Sequence, residues 1–293
     1  MLKSITENYD ITAHATKLRD RGVTGIEALT RLLVPFKGGR ADGLTDKEHS
    51  ALMLLSRVYV ATTDQLGRYL FSDSLPSTRE RKARRYAQRL ARYQLVVRQH
   101  RAGMKGQVLT VTPGHRALRG YENILPEGVV RPEGMPYGPA LLRRLKATEL
   151  YVRLIENCRH GGPQPQLFAA FPDGWRKFIG VIDNDSYDDK YMIRPDAAFR
   201  LPTPDGDQPW LVTFYDGSEA DIRIARTCED YYKFAQFQIE REHTVPSRVL
   251  LVVEASDRAS HIQSILARQP ERIKNLFTVS TMDDAVSALT SAR

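Results

Sequence analysis

From Thr45 onward, apolar side chains recur at helical spacing in three successive stretches. Ala51, Leu52, Leu55, Val58 and Tyr59 share one face, then Leu66, Leu70 and Phe71, then Ala83, Tyr86, Ala87, Leu90 and Tyr93. A capping-box pattern stands before each: Thr45-Asp-Lys-Glu48, Thr62-Thr-Asp-Gln65 and Ser77-Thr-Arg-Glu80. In this pattern a hydroxyl accepts the amide three residues on, and the Glu or Gln reaches back to the amide of the cap. Three such starts in order predict three short helices. The period then changes. Leu95–His100 and Gln107–Val111 read as strands joined by the basic, glycine-containing loop Arg101-Ala-Gly-Met-Lys-Gly106, a hairpin. Thr112-Pro113 reads as the cap and first position of another helix. Three helices followed by a hairpin predict a winged helix-turn-helix over residues 45–121.

Ahead of it, residues 1–44 read as an arm, with a short amphipathic helix at 26–33 and a loop at 37–43. Behind it, residues 122–140 carry four prolines and three glycines, the density of an interdomain linker. Residues 141–293 then alternate. A leucine-spaced helix is expected over 141–157, strands near 167–171, 196–201, 210–215, 248–254 and 277–279, and helices near 220–242, 257–268 and 282–291. Val249–Val253 is continuously apolar, as a central strand covered on both faces would be. The expected class is α+β or α/β: a winged helix followed by a mixed sheet with flanking helices.

Charge sharpens this picture. The chain of 293 residues has 43 Lys and Arg against 35 Asp and Glu, a net of +8. Residues 45–120 hold 15 of those bases and five of those acids, a net of +10, so the remainder nets −2. A local excess of this kind is the footprint of a polyanionic partner. Wound at about 100° per residue, the third helix puts Arg81, Arg84, Arg85, Gln88 and Arg92 opposite its apolar side. Guanidiniums can bridge guanine O6 and N7, and an amide can pair with adenine N6 and N7. Thr78 at the helix start and Arg98, Arg101 and Lys105 on the hairpin would reach backbone phosphate or the minor groove. The alternative for any Arg-rich face is a solvated surface. The position of this helix in a winged module with a basic wing favours double-stranded DNA. Winged-helix proteins commonly bind as two-fold dimers, so a homodimer is expected.

Other chemistries find little support. Two cysteines, Cys158 and Cys228, make no disulfide framework and no zinc spacing, and they read as core residues of helices. The first 20 residues have no apolar run, and no stretch nears the roughly 18 apolar residues of a spanning helix, so a cytoplasmic protein without membrane contact is expected. The histidines have no metalloprotease spacing, the glycines no phosphate-binding loop, and the serines no nucleophile elbow. Asp183–Asp189 is acidic but lacks the glycine and terminal glutamate of an EF-hand, and reads as an exposed loop. No cofactor is expected.

The segments Leu54-Leu-Ser-Arg-Val-Tyr-Val-Ala-Thr-Thr-Asp-Gln-Leu-Gly-Arg-Tyr-Leu70, Arg85-Tyr-Ala-Gln-Arg-Leu-Ala-Arg-Tyr-Gln-Leu-Val96 and Leu109-Thr-Val-Thr-Pro-Gly114 resemble the replication-relaxation proteins of plasmids and integrative elements. The resemblance covers most of residues 45–255. It implies an N-terminal winged helix, a C-terminal domain related to restriction-endonuclease-like folds, and an accessory factor that handles DNA. Such a factor would act at an origin of replication or conjugative transfer and position a relaxase or replication initiator. Metal-dependent nucleases of that fold hold Mg²⁺ with an Asp and a later Glu-x-Lys. Here Asp196 is followed by Phe214-Tyr215-Asp216, with Phe in place of the carboxylate and Asp in place of the lysine. Asp196 with Asp216 or Glu219 could hold a metal only loosely. Strand-end residues capping turns are the favoured reading, and no enzyme is expected. A transcription regulator with a C-terminal sensor domain and a metal-dependent nuclease or nickase remain as alternatives.

Overall fold

A computed structural model describes residues 44–93, 95–101, 104, 106–111, 135–179, 190–217 and 219–291. The expected arm (bar Leu44), the Thr112-Pro113 cap, residues 122–134 of the linker, Lys105 and the acidic loop Asp183–Asp189 lie outside these residues. The described chain is α+β and falls into two compact units, one of residues 44–111 with 135–137 and one of residues 138–291.

In the first unit the order is α1 (Asp46–Val58), β1 (Val60–Thr62), α2 (Thr63–Leu70), α3 (Pro76–Arg92), β2 (Val96–His100) and β3 (Gln107–Val111). Both of the first two capping boxes form. Thr45 and Thr62 cap α1 and α2, with Glu48 and Gln65 reaching back. The third does not. Pro76, with φ preset for a helix, starts α3 one residue before Ser77. Ser77 then lies within the helical turn, where it cannot adopt the extended backbone of a cap, and Glu80 turns to Arg84 instead.

β2 and β3 form the expected antiparallel hairpin, with Arg98 opposite Leu109. The short β1 was not expected. Tyr59, at φ 66°, ends α1 and delivers three extended residues that pair antiparallel with β3, so the sheet runs β1-β3-β2. Three residues are too few to show an alternating pattern. Leu52, Leu55, Val58, Leu66, Ala83, Ala87, Leu90 and Leu109 fill the core.

Two glycines matter here. At Gly67 a Cβ would stand 3.0 Å from Arg79 Cγ and 3.4 Å from Ala83 Cβ, so its absence lets α2 approach α3. Gly106 opens β3 at φ 86°, and a Cβ there would stand 2.5 Å from Thr63 Oγ1, which accepts the Gln107 amide at 3.2 Å. The hairpin is thereby tied to the start of α2. Gly106→Ala is expected to cost about 1–2 kcal/mol, through left-handed strain and loss of that bond. An unchanged urea midpoint would show that this tie contributes nothing.

The second unit begins with α4 (Gly138–Arg159), three residues earlier than the sequence suggests, so the end of the expected linker is already helical. There follow β4 (Gln166–Ala170), β5 (Arg176–Ile179), β6 (Lys190–Ile193), β7 (Ala197–Thr203), β8 (Gly206–Phe214), α5 (Asp221–Glu240), β9 (Arg248–Val253), α6 (Ser256–Ala267), α7 (Glu271–Lys274), β10 (Phe277–Thr281) and α8 (Ala285–Ser291). The five-stranded sheet runs β10-β9-β8-β7-β4, with β8, β9 and β10 parallel and β7 antiparallel to both β8 and β4.

β9 sits between two parallel neighbours, which is why its run is apolar throughout. Val249, Leu251 and Val253 join Ile224, Tyr231, Ile262 and Leu266 of α5 and α6 in one core cluster. Tyr151 of α4 meets Phe168 at 4.5 Å, and Phe168 stacks on Phe199 at 5.4 Å. The β5–β6 hairpin was not expected, and Phe178 packs it on Phe234 of α5 at 5.3 Å. Cys228 is buried in α5, where burial pushes its thiol up to about 12, whereas Cys158 on α4 is only half-buried. No helix among the described residues is long and apolar enough to cross a membrane.

Candidate nucleic-acid interface

Helix α3 is held by its apolar side. Ala83, Ala87 and Leu90 are buried, and Tyr86 meets Phe71 edge-on at 5.4 Å. A polar clamp reinforces this. Glu48 is fully buried, its Oε2 accepts from the Thr45 amide at 2.7 Å, and its Oε1 lies 2.8 Å from Arg89 Nε. One carboxylate thus caps α1 and anchors α3. The hydrogen bond to Tyr93 and the charge of Glu48 both raise the affinity of Arg89 for its proton. Arg89 is itself exposed, but its guanidinium is turned back onto Glu48 and Tyr93 and serves the fold.

With that side fixed, the other is fixed too. Arg81, Arg84, Arg85, Gln88 and Arg92 are all exposed. Arg84 donates to Glu80 at 2.6 Å, an exposed pair one turn apart worth at most about 0.5 kcal/mol. Arg81, Arg85, Gln88 and Arg92 engage no described side chain. The row consequently projects three guanidiniums and one amide along about three turns.

Thr78 is half-buried in the first turn of α3, whose start no side chain caps. Arg98 is half-buried on β2, its Nη1 3.4 Å from Gln107 Oε1. Arg101 lies over the Tyr137 ring at 5.2 Å. Lys105, also expected on the hairpin, falls outside the described residues.

The second unit has a different arrangement at Asp196. Its Oδ2 accepts from the Phe214 amide at 2.9 Å and from Arg143 Nη2 at 3.1 Å, and the same Arg143 nitrogen donates to the Phe214 carbonyl at 3.0 Å. Burial raises the Asp196 carboxyl above the ordinary range, against the pull of Arg143. The divalent cation that the resemblance to nuclease-like folds implies does not fit these residues. The carboxylate oxygen is committed to a guanidinium and an amide, Phe214 supplies only a ring, and no three His, Cys, Asp or Glu side chains gather into a metal-holding group among the described residues.

Sequence reasoning missed Arg143, Arg144, Arg194 and Trp175, which surround Asp196. One signal was available: Arg144 stands on the leucine-lined side of α4, beside Leu141 and Leu145, and is buried there.

A model of the family described as replication-relaxation matches residues 52–248. No curated protein and no solved structure matches the chain.

Proposed function

Because the chain belongs to the replication-relaxation family, we propose that its first unit is a winged helix-turn-helix that seats α3 in the major groove of double-stranded DNA. The observation that carries this is the row Arg81, Arg85 and Arg92, exposed and without a partner among the described residues, on a helix whose other side is locked into a core. Unpaired guanidiniums on a fixed helix have no ion pair to give up on binding, and they gain charge-assisted bonds to phosphate and guanine. The β2–β3 hairpin is the wing, and Arg98 and Arg101 on it contact the backbone.

In this reading the protein is a non-enzymatic accessory factor of a plasmid or mobile element. It binds, as a homodimer, a site at an origin of replication or transfer and positions a relaxase or replication initiator there. The second unit is a restriction-endonuclease-like domain in which a guanidinium has taken over the neutralising role of a cation. The family supports the link to plasmid or mobile-element replication, and the charge asymmetry supports DNA as the partner.

The test is capture of genomic and plasmid fragments by the purified protein, followed by sequencing. Enrichment at origins supports the reading, enrichment at promoters would favour a regulator, and no enrichment would remove it. Glu80→Gln gives a sharper check. It releases Arg84 and deletes a negative charge from the groove-facing row, so duplex affinity is expected to rise about three- to tenfold with stability changed by less than about 0.5 kcal/mol. Weaker binding would place the row away from phosphate.

A further inference from the structure

In the second unit, a cavity of about 250 Å³ and another of about 400 Å³ share Arg143 and Arg194 in their walls. The smaller is built from stacked cations and rings. The Arg144 guanidinium lies 4.3 Å over Phe171, Arg194 lies 5.1 Å over Trp175, and the two rings meet edge-on at 4.7 Å. The larger is lined by Tyr215, Glu219, Arg223, Asp230 and the Thr213–Tyr231 hydroxyl pair, whose oxygens are 2.7 Å apart.

Buried polar atoms in a folded protein are nearly always hydrogen-bonded, so those that are not call for a reason. Eight such side-chain atoms occur among the described residues, and four of them belong to the walls of these two cavities: Trp175 Nε1, Arg143 Nε, Glu219 Oε2 and Tyr215 Oη, the last with the Thr227 hydroxyl beside it. Leaving Tyr215 aside, two can donate and one can only accept. Arg194 and Arg223 are exposed at the same walls and pair with no described carboxylate.

The complement of this set is a molecule with an anionic group, a flat ring and a hydroxyl or amino donor. We propose that the cleft binds a nucleoside phosphate, either as a free nucleotide or as a unit of a single strand. The phosphate lies between Arg194 and Arg223, the base stacks on the Trp175 ring, and the donor meets Glu219. Arginine over an indole and a base on an aromatic face are the usual means of holding a nucleotide without sequence readout. The two cavities share Arg143 and Arg194, and the larger, about 400 Å³, lies by itself within the range of ligand pockets, about 300–1,000 Å³. This is separate from the duplex-binding row, which lies in the other unit.

The experiment uses the full chain carrying Arg81→Ala, Arg85→Ala and Arg92→Ala, so that α3 does not contribute. Calorimetric titrations in EDTA employ dAMP, dTMP, a 5′-phosphorylated hexathymidylate and inorganic phosphate. Saturable binding of nucleotide is expected. It should weaken by about tenfold when Arg194→Ala and Arg223→Ala are added, and less in Trp175→Phe, which keeps a ring but loses the indole N–H. Both arginines are exposed, so circular dichroism should stay unchanged. Binding by mononucleotides identifies the free form as sufficient, and binding by the hexamer alone identifies a strand. No binding by any nucleotide probe, binding indifferent to both sets of changes, or equal binding of inorganic phosphate would overturn the proposal.

Discussion

Replacing Arg81, Arg85 and Arg92 together by alanine is expected to weaken duplex binding about 100- to 1,000-fold and to lower the dependence of log affinity on log salt by about two to three units. Each guanidinium that neutralises a phosphate contributes about 0.9 to that slope. Each charge-assisted contact contributes about 1–1.5 kcal/mol, and about 1.4 kcal/mol is a factor of ten. The side chains are exposed and engage no described group, and alanine is the best helix former. Stability should therefore move by less than about 0.5 kcal/mol, which separates this result from unfolding. Fluorescence anisotropy on a 30-base-pair duplex across a potassium chloride series measures both quantities. A folded triple variant with the original affinity and slope would show that α3 does not face DNA. Arg89→Ala provides the contrast, because it should act mainly on stability by leaving the buried Glu48 without its counter-charge.

Arg143→Met is expected to destabilise the protein by about 2 kcal/mol at neutral pH, with a loss that shrinks as pH falls. The Asp196 side chain is 13% exposed and that of Arg143 38%. Removing one member of a fully buried pair costs about 3–5 kcal/mol. Solvent at the guanidinium reduces that here, and methionine keeps much of the aliphatic packing.

In the variant, the Asp196 carboxylate retains the Phe214 amide but loses the nearest positive charge, so its folded-state pKa, already raised by burial, climbs further. The unfolded chain titrates near the ordinary aspartate value of about 3.9. Between that value and the raised one, the folded state holds more protons than the unfolded state, so stability falls as pH rises. The deficit relative to the parent should be complete above the raised pKa and should narrow toward pH 4. Urea unfolding at several pH values between 4.5 and 8 measures it. A deficit that is constant with pH, or absent, would mean that Arg143 does not neutralise Asp196.

Much of the first unit is written in short-range chemistry. The boxes at Thr45 and Thr62 form because cap, amide and Glu or Gln lie within four residues of one another. The orientation of α3 follows from the helical period, since Ala83, Ala87 and Leu90 can be buried together only if Arg81, Arg85 and Arg92 point away. Where a local signal competed with another, it failed. Pro76 overrode Ser77 as the start of α3. The boundaries of the sheet in the second unit were readable to within a few residues because buried strands must be apolar.

What spacing along the chain cannot reveal is which distant groups meet. The carboxylate of Asp196 lies 53 residues from the guanidinium that holds it and 18 from the amide it accepts. Arg143, Arg194 and Trp175 become neighbours only when α4, the turn before β5 and the end of β6 converge. The same holds for Glu48 and Arg89, which look like ordinary surface charges until α1 and α3 pack together. Periodicity acts over one or two turns and therefore decides elements and faces. Electrostatic partners are chosen by the fold as a whole, because a buried charge takes whichever counter-charge packing brings within reach.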